Sequence, residues 1–171
     1  MNSPFANLFL AIRSRIIDSI PSIVHIDQDR GQLQNSTALK GRFPVNFPCV
    51  LIDFEDFNFS DLGERVQSAK GTIVLRLGYA TYSNTGQTTP DEYVEQALAY
   101  YDLEFKLHES MQGWSAGENF GNLDRISVTT QKRNDNVRVR EIRYTVAFDD
   151  YSMQQKQRWI PVRSIIEEVK P

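Results

Sequence analysis

The segment from Thr72 to Tyr79 constrains the fold most strongly. Its apolar residues at every second position are Ile73, Leu75, Leu77 and Tyr79. Because successive strand side chains point to opposite faces, the pattern predicts a strand with one wholly apolar face that other elements must cover. Upstream, Val66 has the opposite parity, so we expect a bulge at Gly71 to exchange the two faces.

A first amphipathic helix can supply part of that cover. Ser3 and Pro4 provide a hydroxyl cap and a proline at the first helical position, and Pro21 ends the pattern. The apolar positions at helical spacing are Phe5, Leu8, Phe9, Ile12, Ile16 and Ile20. These residues predict a helix from Pro4 to Ile20 that packs one stripe onto a sheet.

A second amphipathic helix is indicated by Thr89-Pro90-Asp91-Glu92, which places a cap and a glutamate in capping-box register. Its predicted apolar stripe is Val94, Ala97, Leu98, Tyr101, Phe105 and Leu107 or His108. We expect this helix to end near Gly113, since glycine favours the conformation that terminates helices.

Two further segments read as strands. Ile23 to Ile26 is a short run rich in β-branched residues, and Pro48 to Ile52 is a nearly continuous apolar run that suits a strand covered on both faces. Cys49 is therefore expected in the core. Asp27 to Asn46 between them is polar and aperiodic, and such a long loop is the first place to look for a bound partner.

A charged hairpin follows the second helix. Asn134 to Asn136 form the predicted turn, which places Val128 opposite Ile142 and Ile126 opposite Tyr144. We expect the hairpin to protrude from the sheet. The predicted fold is thus α+β, with a mainly antiparallel sheet of about five strands, two helices packed on it, and a C-terminal extension.

The chain length of 171 residues suits one domain. We assign residues 1–156 to that domain. Residues 157–171, called the C-terminal segment, carry Trp159, Ile160, Val162, Ile165, Ile166 and Val169. This segment is too apolar to be a free tail and too short to fold alone, so we expect it to dock on its own domain or on a neighbour.

The overall charge excludes several kinds of partner. A net charge of -3 leaves no general positive field for nucleic acid or an anionic membrane, and the chain has one cysteine, which excludes an internal disulfide. The apolar run from Phe5 to Ile12 leads into Arg13 and Arg15 without the features of a signal peptide. We expect a cytoplasmic protein with no membrane partner and no sequence-specific nucleic-acid partner.

The acidic residues Asp53, Glu55, Asp56 and Asp61 form one candidate site. Grouped carboxylates can hold a hard cation, so a small metal-dependent nuclease or hydrolase is an alternative function. The interleaved Phe54, Phe57 and Phe59 favour an amphipathic strand leaving the sheet instead. Glu104 and Lys106 match an acid-x-lysine nuclease element by chance, since a helix separates them by roughly 200°.

Other catalytic signals are weak. His25 and His108 lie far apart in the chain and have no metal-ligand or catalytic-triad spacing, so we interpret both as structural. The sequence has no nucleophile elbow and no glycine-rich phosphate loop. We therefore expect neither an enzyme nor a cofactor or metal.

Positive charge concentrates on the hairpin at Lys132, Arg133, Arg138, Arg140 and Arg143. As the role of these basic residues, we rank contact with another protein first, an ordinary solvated strand edge second and contact with nucleic acid third. Arg138 and Arg140 are expected to project beyond the domain core, opposite the acidic segment of an adjacent copy. The predicted interface residues are Lys132, Arg133, Arg138, Arg140, Asp53, Glu55, Asp56, Trp159 and Ile160.

The order of the elements resembles that of the tail-terminator or tail-completion proteins of long-tailed bacteriophages, which join head and tail. The likeness covers residues 4–150 in outline. It rests on the opening helix ending at Ile20-Pro21, the strand Phe47 to Ile52, the strand from Gly71 to Tyr79, and the helix Val94 to Leu107 before the charged hairpin. That family has no catalytic motif to match.

The resemblance implies a homo-oligomeric ring of six copies that caps the tail tube, stops its polymerisation and joins it to the head or neck. It implies contacts with the tail tube protein and possibly with sheath and neck or connector proteins. Assembly would occur in the host cytoplasm, and the protein would remain in the virion tail or neck. The long loop and the C-terminal segment depart from shorter family members and leave the contacted protein open. A monomeric adaptor module is a further alternative.

Overall fold

The computed structural model describes residues 3–34, 45–80, 85–133 and 136–154. The elements in chain order are α1 (Pro4–Ser19), β1 (His25–Gln28), β2 (Cys49–Gly63), β3 (Val66–Ala80), α2 (Asp91–Met111), β4 (Asp124–Gln131) and β5 (Val137–Asp150). Within these residues the strands form one five-stranded sheet in the order β1-β2-β3-β5-β4, in which β1 and β2 pair in parallel and the other neighbours pair antiparallel. The predicted α+β fold is confirmed.

Both helices lie on one face of the sheet, where they bury the apolar face of β3. The fully buried side chains of this core include Leu8, Ile12 and Ile16 of α1, Leu107 and Met111 of α2, and Ile73, Leu75, Ile142 and Tyr144 of the sheet. The alternating pattern of β3 therefore predicted the helix-covered face correctly. We call the opposite side the open face.

The first helix has the predicted start and end. The Ser3 hydroxyl accepts a hydrogen bond from the backbone N–H of Ala6 at 3.5 Å, and Pro4 occupies the first helical position. Ile20 follows the helix and its side chain stays buried. The predicted stripe is confirmed from Leu8 to Ile20, because these positions face the sheet.

The second helix differs from its prediction in two respects. Pro90 itself occupies the cap position with a ψ of 145°, so Thr89 lies one residue outside the helix and no side chain caps it. The predicted stripe is also partly wrong: Leu98, Tyr101 and Phe105 are 41%, 48% and 65% exposed. The buried apolar residues are Ala97, Tyr100, Leu103, Leu107 and Met111. This helix has two apolar sides, and the sheet covers only one.

The second strand is longer than predicted, so the acidic residues lie within a strand and not after it. β2 continues to Gly63 because a bulge between Glu55 and Asn58, with Asp56 at a φ of 55°, restores its pairing with β3. The bulge predicted at Gly71 is wrong, since the pairing of β3 with β5 has no shift. Gly71 instead makes room for the aromatic ring of Phe57.

The first strand lies two residues later than predicted, and pairs from His25 with Cys49 to Gln28 with Ile52. The following loop folds over the open face, where Leu33 and Phe47 pack with Cys49, Leu51 and Val139. Cys49 is buried as predicted, and this burial raises the pKa of its thiol to about 12. Residues 35–44 of the predicted loop lie outside the described residues.

The hairpin has the predicted register only in part. Val128 lies opposite Ile142, but a bulge between Arg125 and Ser127 places Arg125 opposite Tyr144. Ile126 is consequently 55% exposed and not on the core face. The predicted protrusion is wrong as well, because β5 pairs with β3 over its whole length.

The contact of Phe57 with Gly71 gives a test of the packing at the bulge. A Cβ atom at Gly71 would lie 2.4 Å from Cγ of Phe57, so Gly71→Ala should destabilise the fold by about 1–3 kcal/mol through overpacking. Gly86→Ala, whose Cβ would have ordinary contacts, is the control and should change stability by less than about 0.5 kcal/mol. Urea unfolding measures both. Equal effects, or additive effects of Gly71→Ala and Phe57→Ala, would contradict the steric account.

Candidate interaction surfaces

A charged network occupies the open face around Arg76 of β3. Its guanidinium bonds Asp29, and it also contacts Glu141 at 3.0 Å and Glu55 at 3.3 Å. Arg143 of β5 joins the same network through Glu55 at 2.9 Å and Glu141 at 2.8 Å. Three sheet strands and the loop after β1 therefore meet through ion pairs.

The network includes two residues of the predicted acidic site, Asp53 and Glu55. Burial alone would lower the pKa of Arg76, but the hydrogen bonds with Asp29 and Glu141 outweigh it and raise that pKa. Asp53 lies 3.8 Å from the same guanidinium. Asp53 and Glu55, two residues apart in β2, therefore lie on the same side of the sheet. Both carboxylates thus face arginines of their own chain, and the described residues contain no group of metal-ligating side chains.

Arg140 has an internal partner that the sequence did not reveal. Its guanidinium forms a two-point hydrogen bond with Glu104 of α2, with Nε–Oε2 at 2.6 Å and the second bond at 2.9 Å. This pairing raises the pKa of Arg140, and the two side chains are only 16% and 12% exposed. The expectation that Arg140 projects beyond the core is wrong, because α2 packs over it.

The other basic residues of the hairpin have different surroundings. Arg138 is exposed and lies over the Tyr100 ring at 5.8 Å, while Lys132 is exposed beyond the end of β4. The Arg133 guanidinium donates to the backbone carbonyl of Leu33 and so connects the hairpin to the loop. Lys132 and Arg138 are therefore the basic candidates best placed for contact with another molecule.

The sheet has two different outer edges. On one side, β1 ends at Gln28, and no strand among the described residues pairs with the outer edge of β2 beyond Ile52. This part of β2 carries the exposed Asp56 and Asp61. On the other side, β4 is the last strand, and within the described ranges its outer edge has no partner strand.

The exposed side of α2 carries an apolar surface that sequence reasoning assigned to the core. We call Leu98, Tyr101 and Phe105 the outer stripe of α2. Tyr101 lies over the Arg140 guanidinium at 5.6 Å, and Arg140 also bonds the hydroxyl of Thr130 in β4. Tyr101 therefore lies close to β4, whereas Leu98 and Phe105 lie about 140–180° around α2 from its buried residues Tyr100, Leu103 and Leu107 and face away from the sheet. The signal in the sequence was the presence of more apolar positions than one helix face can hold.

The histidines have structural surroundings. Nδ1 of His108, in the last turn of α2, lies 3.3 Å from the Tyr144 hydroxyl. His25 is half-buried in β1. Burial, followed by the nearby Arg125, lowers the pKa of His108. Burial also raises the pKa of Tyr144 well above its ordinary value. Neither histidine adjoins the charged network.

The described chain ends beside an open cleft of about 500 Å³ lined by Asp61, Arg65, Gln67, Asp150, Ser152 and Met153. Trp159 and Ile160, which the sequence assigned to an interface, lie outside the described residues. Neither described helix has the length and apolar character needed to cross a bilayer.

Comparison with known proteins identifies no family for this chain. No family model matches the sequence, and no curated protein matches it. One chain in a solved structure of the virion of a native gene transfer agent particle is similar, with a TM-score of 0.47 and 8% identity. The similarity covers 87% of this chain and 99% of that chain. At this TM-score and identity it carries no argument about function.

The ion pair of Arg140 with Glu104 predicts that replacing Arg140 lowers the free energy of unfolding more than replacing Arg138 does. Arg140→Met should destabilise the fold by about 3 kcal/mol, because it leaves the Glu104 carboxylate poorly solvated and without its partner. Arg138→Met, the control, should cost about 1 kcal/mol or less because Arg138 is exposed. Urea unfolding measures both, and adding Glu104→Leu should recover much of the first loss. Equal effects of the two variants would show that the pair is not structural.

The lowered pKa of His108 predicts a pH dependence of stability. The unfolded chain, in which histidine has a pKa of about 6.5, binds the proton more readily than the folded chain does. Stability should therefore decline as the pH falls below about 6.5, and His108→Gln should lack this component. Thermal unfolding from pH 7.5 to 5 measures it, and parallel profiles for parent and variant would contradict the assignment.

Proposed function

We propose that this protein is a structural component of a phage or phage-derived particle. In this proposal it is a tail terminator that forms a ring, caps the tail tube and joins it to the head or neck. The observation that carries the proposal is that, within the described residues, the sheet has two edges without a partner strand, which differ chemically and lie on opposite sides of the domain. Such a molecule can associate head to tail, and head-to-tail contacts close into rings when the rotation permits.

Charge complementarity supports this arrangement. The exposed part of β2 carries Asp56 and Asp61, whereas Lys132 and Arg138 lie at the hairpin on the other side of the sheet. Complementary charges at the rim of an interface steer association and fix its register. A contact between the acidic edge of one copy and the basic hairpin of the next would pair these opposite charges.

The order of the elements also supports the proposal. The described elements run in the order helix, strand, two long strands, second helix and final hairpin, and this order is compatible with the resemblance to tail terminators. The tail tube protein is then the first expected partner, with sheath and neck proteins as further candidates. The hydrolase alternative is less well supported, because Asp53 and Glu55 face arginines of their own chain.

The ring is tested by light scattering and negative-stain imaging of the purified protein, alone and with tube protein. We expect a closed oligomer whose formation depends on concentration and salt. Lys132→Glu combined with Arg138→Glu should leave the melting transition nearly unchanged, since both residues are exposed, and should weaken association. Arg13→Glu with Lys106→Glu makes the same charge change at exposed positions on the two helices and is the control.

A protein that stays monomeric at high micromolar concentration, even with tube protein, would overturn the proposal. A ring that tolerates the charge reversal as well as the control would remove the hairpin from the interface. The hydrolase alternative has its own signature: Asp53→Asn would abolish a metal-dependent hydrolysis while leaving assembly intact.

A further inference from the structure

The first residues of α1 lie over one particular row of sheet side chains. Phe59 of β2 and Phe148 of β5 lie in this row, on either side of Ala69 in β3. Both rings contact Phe5 of α1, at centroid distances of 6.5 Å and 5.6 Å. Since α1 begins at Pro4, the start of the helix marks the limit of its cover over the sheet.

The next row of the sheet lines an open cleft. Asp61, Gln67 and Asp150 lie opposite one another, two positions further out on their strands, and so point to the same face as Phe59 and Phe148. These three residues line the cleft of about 500 Å³, together with Arg65, Ser152 and Met153. The cleft therefore lies on the helix side of the sheet, beyond the start of α1.

The described chain ends at this cleft. After β5 the chain turns, and the backbone N–H of Gln154 donates to the carbonyl of Tyr151 at 3.1 Å. Because Ser152 and Met153 in this turn line the cleft, the turn leads the chain onto the helix side of the sheet. The residues that follow Gln154 therefore start beside the cleft.

We propose that the C-terminal segment of the same chain closes this cleft, with Trp159 packed on Phe59 and Met153. Residues 154–158 are polar, and Trp159 and Ile160 are the first apolar residues after the turn. Met153 is 72% exposed and Phe59 is 45% exposed, so both offer apolar surface to an indole ring. A buried aromatic side chain typically removes about 150–250 Å² from water, which makes Trp159 the main anchor of the contact.

The charge of the cleft complements the residues that precede Trp159. Asp61 and Asp150 each accept a hydrogen bond from a nearby backbone N–H, at 2.9 Å and 2.8 Å. Within the described residues neither carboxylate forms an ion pair, although Arg65 lines the same cleft. The polar stretch before Trp159 supplies Lys156 and Arg158, which can pair with both carboxylates.

The short connection favours the segment of the same chain over that of a neighbouring copy. Four residues, 155–158, separate the turn from Trp159, so the indole lies within about 17 Å of Gln154. A segment on so short a linker has an effective concentration on the order of 1 mM, about a thousandfold above that of a neighbouring copy at micromolar concentration. The contact within one chain therefore predominates.

The fluorescence of Trp159 tests the contact in the full-length chain. The sequence has two tryptophans, so Trp114→Phe leaves Trp159 as the only indole. We expect blue-shifted emission and the loss of most of the acrylamide quenching that the same chain shows in urea. Because the contact lies within one chain, both signals should be unchanged on dilution from about 50 μM to about 0.5 μM.

A matched pair of variants locates the apolar part of the contact. In the chain with Trp159 as its only indole, Met153→Ser should restore acrylamide quenching. Phe105→Ser removes a similarly exposed apolar side chain on α2 and should leave the quenching unchanged. Melting temperatures close to that of the parent show that both variants remain folded.

A second pair of variants tests the charges. Asp61→Asn with Asp150→Asn removes both negative charges, while an amide oxygen can still accept the hydrogen bonds of the turns. This variant should increase the quenching of Trp159, and about 1 M sodium chloride should do the same to the parent, because the Debye length falls to about 3 Å. Asp91→Asn with Asp102→Asn, at exposed positions on α2, is the control.

The full-length variant Trp159→Ser with Ile160→Ser separates this contact from the proposed ring. It should unfold at a lower urea concentration than the parent, because it lacks the anchor, and should associate as the parent does. Loss of association in this variant would show that the segment joins neighbouring copies, which overturns the contact and leaves the ring intact. A parent that stays monomeric while Trp159 is protected does the reverse.

Three further results would overturn the proposal. Quenching of Trp159 as strong as in urea shows that the segment does not dock. Protection that disappears on dilution shows that it docks on another copy. Protection that neither Met153→Ser nor the charge-neutralised variant reduces shows that it docks elsewhere on its own domain.

Discussion

The structure depends on β3, which pairs along its length with both β2 and β5 and so lies at the centre of the sheet. Its helix-side residues require α1 and α2 as cover, which fixes the positions of both helices. On its other face, Arg76 has to be compensated, because a largely desolvated guanidinium without partners would be costly. Carboxylates from β2, β5 and the loop after β1 meet it there.

That compensation determines which charges remain for contact with other molecules. Glu55 and Glu141 are paired with arginines, and Glu104 holds Arg140 against α2. The charged groups that remain exposed include Lys132 and Arg138 on one side of the sheet and Asp61 on the other. The arginines and glutamates of the charged open face are thus largely paired within the domain.

The sequence predicted the fold better than it predicted the surface. Periodicity correctly located α1, the apolar face of β3 and the pairing of Val128 with Ile142, because each depends on neighbouring residues in the chain. Periodicity assigned the wrong side of α2 to the core. Leu98 and Leu103 are equally apolar, and only packing against the sheet makes Leu103 the buried one. It placed Ile126 in the core because a bulge leaves no mark in an alternating pattern.

The sequence by itself determined the number and order of the elements and the position of Cys49 in the core, because hydrophobic periodicity and prolines act locally. Only the tertiary structure decided which charged residues form ion pairs within the domain. Arg140 and Glu104 are far apart in the chain, as are Arg76 and Glu141, and their pairing follows from the packing of α2 and the register of β3 with β5. The sheet order leaves β4 as the outermost strand, and the packing of α2 leaves Leu98, Tyr101 and Phe105 exposed, because no other described element covers them.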